Sequence, residues 1–178
     1  MELKIKNISI SEFLQKEDPF YYDLLRKEIP AENLFNKKVC SWKDLTFDEM
    51  SVIEKISSKK DLTVSDLEVL FGVCYKEENF LTCGIMDFFR AKKYIDKKII
   101  EVVRRKNAML AGPTDAKLAR AGAENLTKFG TLNTKITIGK MFGFRPSVIG
   151  TWKYTEVLFI QAHNVTTDLI QRNLSEMT

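Results

Sequence analysis

His163 is the single histidine of the chain, so a metal centre or an imidazole-activated nucleophile would have to be assembled around it. Such sites gather several imidazole, thiolate or carboxylate groups. No Cys, Asp or Glu stands three or four residues from His163, which falls on the apolar side of a predicted helix. It reads as a core or interface residue. Cys40, Cys74 and Cys83 form an odd set without C-x-x-C spacing and read as core thiols of a reducing compartment. No G-x-S-x-G, P-loop or G-x-G-x-x-G is present, and Gly139-Lys-Met-Phe-Gly143 is none of these. The carboxylates are scattered over helix starts and exposed faces, where capping already accounts for Glu49 and Asp66. The expectation is a protein without an enzymatic site, cofactor, metal or small-molecule substrate.

Charge is the one feature that concentrates. Between Arg90 and Lys106, eight Lys or Arg stand against Asp96 and Glu101, a local net of +6 in a chain of +4. In the heptad frame of the neighbouring apolar residues, Arg90, Lys97 and Arg104 share the position opposite the seam. Lys93, Lys98 and Arg105 lie beside them. Such a ridge can follow the phosphates of DNA or RNA, dock an acidic partner, or be a solvated face opposite a buried seam. The ridge positions themselves carry no aromatics for base stacking, and no base-reading motif accompanies them.

These residues need a scaffold, and the composition supplies one. A hydrophobic fraction of 44% in 178 residues is enough for a core, and the length suits one continuous domain. Within it, residues 1–80 form an N-terminal helical region with an extended arm, and residues 81–178 a long helix followed by a C-terminal helical region. No window approaches the roughly 18 apolar residues of a membrane span, and MELKIKNISI lacks the apolar stretch of a secretory signal. Neither membrane insertion nor export is expected.

The fold class that follows is mainly α, a helical bundle around one long central helix. Leu3, Ile5, Ile8 and Ile10 alternate with a phase break at Asn7, which suits a short edge strand, an arm that pairs with a neighbour, or a frayed terminus. Ser11 opens a helical pattern, and Pro19 starts a short segment with Phe20, Leu24 and Leu25 that Pro30 ends. Thr46 with Glu49 and Thr63 with Asp66 are capping boxes, so helices begin after both threonines. Their stripes are Met50, Ile53, Ile56 and Leu67, Leu70, Phe71.

From 81 to 110, Ile85, Phe88, Ile95, Ile99, Val102 and Met109 fall on three- and four-residue steps, with Lys92 and Lys106 completing the series. One helix there would be roughly 45 Å long. Ala111-Gly112-Pro113 stops it. Thr114 or Asp115 caps an Ala-rich helix ending at Gly130. In 131–143, Leu132, Thr134, Ile136 and Ile138 alternate as in a small hairpin or loop, although Asn133 or Thr134 could cap a helix. Pro146 and Ser147 open a helical region in which Val148, Trp152, Phe159 and Ile160 suggest one helix, and Thr166 or Thr167 caps a second with Leu169, Ile170 and Leu174.

Two runs carry a resemblance. Ala121-Gly-Ala-Glu-Asn-Leu-Thr-Lys-Phe-Gly-Thr-Leu-Asn133 and Trp152-Lys-Tyr-Thr-Glu-Val157 resemble small tail, connector or tail-assembly proteins of tailed bacteriophages, including those of gut Bacteroides, over about residues 85–175. The resemblance implies a helical, non-enzymatic protein that works by forming a ring of its own copies and binding other virion proteins. On that reading the chain is a structural subunit of the virion, in its neck or tail, assembled in the host bacterial cytoplasm, with the basic face meeting a neighbour or passing DNA. A tail-assembly chaperone that leaves the particle is the second reading, and a small nucleic-acid-binding protein the third. Trp152, Tyr154 and Glu156 are candidate subunit-interface residues, against ordinary burial with Trp152 and Tyr154 anchoring a helix end.

Overall fold

The computed structural model describes residues 8–15, 27–111 and 123–177. Seven α-helices lie wholly within them, and backbone pairing outside helices is confined to isolated bridges. The protein is mainly α-helical. In chain order the helices are α1 (Ile10–Leu14), α2 (Phe47–Ser57), α3 (Val64–Tyr75), α4 (Ile85–Leu110), α5 (Thr131–Phe142), α6 (Pro146–Gly150) and α7 (Tyr154–Glu176). Residues 80–82 and 123–129 are 3-10 turns. The expected arm before Ile8, the Pro19 segment and the first part of the Ala-rich helix lie outside the described residues; its last stretch is the second of those turns.

Local chemistry sets the helix starts. Thr46 Oγ1 accepts from the Glu49 amide at 3.2 Å while the Glu49 carboxylate accepts from the Thr46 amide at 2.9 Å. Thr63 and Asp66 close the same reciprocal box before α3, satisfying amides that a helix start leaves unpaired. A third box begins α1, with Ser9 rather than Ser11 as the cap, because Glu12 stands three residues after Ser9. Ile8 and Ser9 do extend, but they pair inside the chain: the Ile85 amide donates to Ile8 and the Ile10 amide to Cys83, both at 2.9 Å.

The long helix is present as α4, 26 residues or about 39 Å. It starts at Ile85 rather than 81 because Phe80–Thr82 tighten into a 3-10 turn. Ile85, Phe88, Ile95 and Ile99 of the seam are buried, as are Phe89 and Ala91.

The segment 131–143 is neither hairpin nor loop. It is α5, and the alternation misled because Thr134 and Ile138 are also one helical turn apart, with Ile138 and Gly139 the buried positions. β-branched residues disfavour a helix only weakly, and tertiary packing overrides that preference. Gly143 (φ 73°) ends α5 in the left-handed conformation, and the Phe144 amide returns to the Gly139 carbonyl at 2.9 Å.

The chain forms two compact units, Met1–Trp42 with Val52–Glu101, and Lys43–Ser51 with Val102–Thr178, built from different stretches than the 1–80 and 81–178 regions above. The first has an aromatic core. The Phe71 ring lies 4.5 Å from Phe35, 5.1 Å from Phe80 and 5.3 Å from Phe88, and Phe89 bridges Phe88 to Phe13. In the second, the extended residues before α2 and α7 pair: the Phe47 amide donates to Trp152 at 2.8 Å and the Tyr154 amide to Leu45 at 2.9 Å. Phe47 and Tyr154 then stack at 6.4 Å, and Lys153 bridges to Asp44 at 2.9 Å.

A Cβ on Gly139 would come to 2.6 Å from the Phe144 carbonyl oxygen, whereas at Gly72 the nearest atom is 3.6 Å away. Gly139→Ala should therefore destabilise by about 1–3 kcal/mol, as overpacking does. Gly72→Ala should stabilise by about 0.5–1 kcal/mol, since helix-interior glycine is entropically costly. Urea unfolding of both variants checks the opposite signs.

Candidate functional site

The basic face of α4 divides into cations that serve the fold and cations that remain open. Lys93 Nζ donates to the carbonyls of Ile29 (2.8 Å) and Lys27 (3.3 Å), holding the chain before Pro30 against α4. The Arg90 guanidinium lies 3.9 Å from Glu32 and 4.0 Å from Asp87. Lys98 pairs with Glu101 at 2.8 Å and Lys92 with Asp96 at 2.7 Å. These are half-exposed pairs of small energetic weight. Lys97, Arg104 and Arg105 are exposed, with no ion pair to a described carboxylate.

The interface candidates also separate. Tyr154 is buried and stacked on Phe47 within its own unit, so it anchors the start of α7 and offers nothing to a neighbour. Glu156 is exposed, and Trp152 is half-buried. The Trp152 ring meets Phe142 at 5.8 Å and Phe144 at 5.7 Å, both edge-on, and each of those phenylalanines is 49% exposed. Sequence reasoning passed over both. Their signal was the run Lys140-Met-Phe-Gly-Phe-Arg145, whose spacing places apolar residues where no helix face buries them.

His163 is exposed on α7, so the core reading of it does not hold. Cys40, Cys74 and Cys83 are buried, and burial pushes the Cys83 thiol pKa up. No cluster of three His, Cys, Asp or Glu able to hold a metal occurs among the described residues. No described helix is long and apolar enough to cross a membrane. A cavity of about 550 Å³ opens beside α4, lined by Phe88, Phe89, Leu67 and charged residues that include the Lys92–Asp96 pair.

One buried charge escaped the sequence. The Glu77 carboxylate accepts from the Asn79 amide (3.0 Å) and Asn36 Nδ2 (2.9 Å) and pairs with Lys38 Nζ at 3.1 Å. The Asn79 amide, then Asn36, and then Lys38 hold its pKa down to about 2. The cluster fastens a tight turn in which Asn36 (φ 46°) and Lys37 (φ 62°) are both left-handed, a conformation that L residues other than Asn seldom adopt. That turn delivers the fully buried Phe35 to the aromatic core. Its polar atoms are engaged by one another, which makes it a clasp rather than a ligand site.

No protein-family model matches the chain, and no curated protein or solved structure is significantly similar to it.

The clasp has a pH signature. Because Glu77 is depressed in the folded chain, its contribution is complete above the ordinary glutamate value near 4.5 and is lost as pH falls towards about 2. Glu77→Gln should cost about 1.5–3 kcal/mol at pH 7, the range for hydrogen bonds to a charged group. The gap between wild type and variant should narrow below pH 4.5, measured by denaturant titration across that range.

Proposed function

We propose that the chain is a non-enzymatic structural subunit of a tailed-phage virion, one copy of a neck or tail ring that holds its neighbours through the C-terminal unit. The observation that carries the protein-binding part is an imbalance of apolar surface. Among the described residues, the first unit buries eighteen apolar side chains and leaves six large ones exposed; the second buries eight and exposes eleven. An excess of large exposed apolar side chains in one unit supports an interaction face there.

Helix α7 concentrates it. Its first turns are buried at Tyr154, Val157 and Leu158, but no side chain from Phe159 to Glu176 is. Phe159, His163, Ile170 and Leu174 fall within about 60° of one another around the helix. Past Leu158 the best-covered apolar side chains of α7, such as Ile160, Val165 and Leu169, are only half-buried; most helical stability in proteins comes from packing an amphipathic face, which suits a further surface along this stripe. A symmetric ring supplies one from each sister chain.

The phage assignment rests on the resemblance of residues 121–133 and 152–157, and the open cations Lys97, Arg104 and Arg105 suit an acidic neighbour or passing DNA. Assembly then takes place in the host bacterial cytoplasm, with the subunit retained in the particle.

Light scattering coupled to gel filtration should give a mass that is a multiple of 20.6 kDa. Ile170→Glu with Leu174→Glu should return it to the single-chain mass with folded circular dichroism. A wild-type monomer at tens of micromolar overturns the ring. Mass spectrometry of purified virions should contain the chain; its presence in lysate alone assigns it instead to tail assembly.

A further inference from the structure

Residues 125–155 contain five Lys or Arg and no Asp or Glu. Two of the five are matched by acids of the 43–51 stretch, Lys135 by Asp48 and Lys153 by Asp44. Lys128, Lys140 and Arg145 are exposed and form no ion pair with a described carboxylate. Each adjoins an exposed aromatic in sequence: Lys128 next to Phe129, Lys140 two residues before Phe142, Phe144 next to Arg145.

The aromatics are held in place rather than left over. Gly143 adopts a left-handed conformation between Phe142 and Phe144, and the Phe144 amide is tied to the Gly139 carbonyl. Gly139 lets the Phe144 carbonyl approach closer than any Cβ would allow. Trp152 braces both rings edge-on from one side. Two half-exposed rings on a braced turn, flanked by unmatched cations, lose little conformational freedom when a flat group stacks on them.

We propose that Phe142 and Phe144, with Lys140 and Arg145, form a stacking platform for single-stranded nucleic acid. The rings take unpaired bases and the two cations their phosphates. Stacking is indifferent to base identity, since every base has a π-face. Charge separates this occupant from an apolar protein surface: a stretch of local charge +5 whose open cations border the rings fits a polyanion that also presents flat faces. The platform uses none of the side chains of the α7 stripe and stands or falls without the ring.

The test is fluorescence anisotropy of the full chain with a labelled oligonucleotide of about 12 nucleotides, within the usual range of site sizes. The single strand should bind at low salt, weaken as salt rises, and bind more tightly than the duplex of the same sequence. Phe142→Leu with Phe144→Leu keeps apolar bulk against Trp152 but removes the stacking faces, and should weaken single-strand binding about tenfold or more. Lys140→Glu with Arg145→Glu should abolish binding to both forms. Should the leucine variant fold poorly, ultraviolet crosslinking of wild type to the same oligonucleotide, mapped by mass spectrometry, should mark Phe142, Phe144 or Trp152. No binding at low salt, equal affinity for strand and duplex, crosslinks confined to other regions, or loss of self-association with unchanged oligonucleotide affinity in the leucine variant would each overturn the platform.

Discussion

The Phe71 ring is wholly buried and lies 4.5–5.8 Å from the rings of Phe35, Phe80, Phe88 and Tyr75. Those four rings arrive from separate pieces of chain: the turn after Leu34, the 3-10 turn before α4, the first turn of α4, and α3 itself. Aromatic pairs at such distances are worth about 0.5–1.5 kcal/mol each beyond the area they bury, and a ring shared by four partners couples their positions. The first unit is therefore specified by one contact centre that strand registers and long loops do not have to define. The Glu77 clasp belongs to that centre, because the left-handed turn it secures is what brings Phe35 inward.

What could be read without the fold were features whose cause is local. A capping box needs two residues three apart, so the starts of α2 and α3 were visible at Thr46 and Thr63. The seam of α4 was visible because Ile85, Phe88, Ile95 and Ile99 repeat at a helical period over a long stretch, and the mainly helical class followed. Where the cause is tertiary the reading failed. Thr134 and Ile138 satisfy both periods, and only burial of Ile138 and Gly139 chooses the helix. Glu77 looked like any surface glutamate, because its partners Asn36 and Lys38 stand some forty residues earlier.

The charged and aromatic surfaces show the same division. The basic ridge was legible as composition on a helix, but composition does not distinguish Lys93, which caps the carbonyls of Ile29 and Lys27, from Lys97, which faces solvent. Trp152 and Tyr154 stand on either side of Lys153 (φ −59°, ψ 134°), the residue that caps α7. Tyr154 opens that helix and is buried against Phe47, whereas Trp152 precedes it and meets Phe142 and Phe144 at the surface.

The contrast between the units then has a structural reading. The first closes its core with a ring cluster and with lysines that hydrogen-bond its own backbone, Lys93 to Ile29 and Lys27 and Lys38 to Lys76. In the second, the buried centre formed by Phe47, Ile138, Ile149, Tyr154, Val157 and Leu158 is complete by the second turn of α7. Beyond it, Gln161 and Asn164 still reach Thr134 and Met141 of α5, while Phe159, Ile170 and Leu174 are exposed. These three are more than half exposed, so they contribute less to stability than buried side chains do and invite aggregation. Grouped on one helical face, they form the surface on which the proposed subunit contact rests.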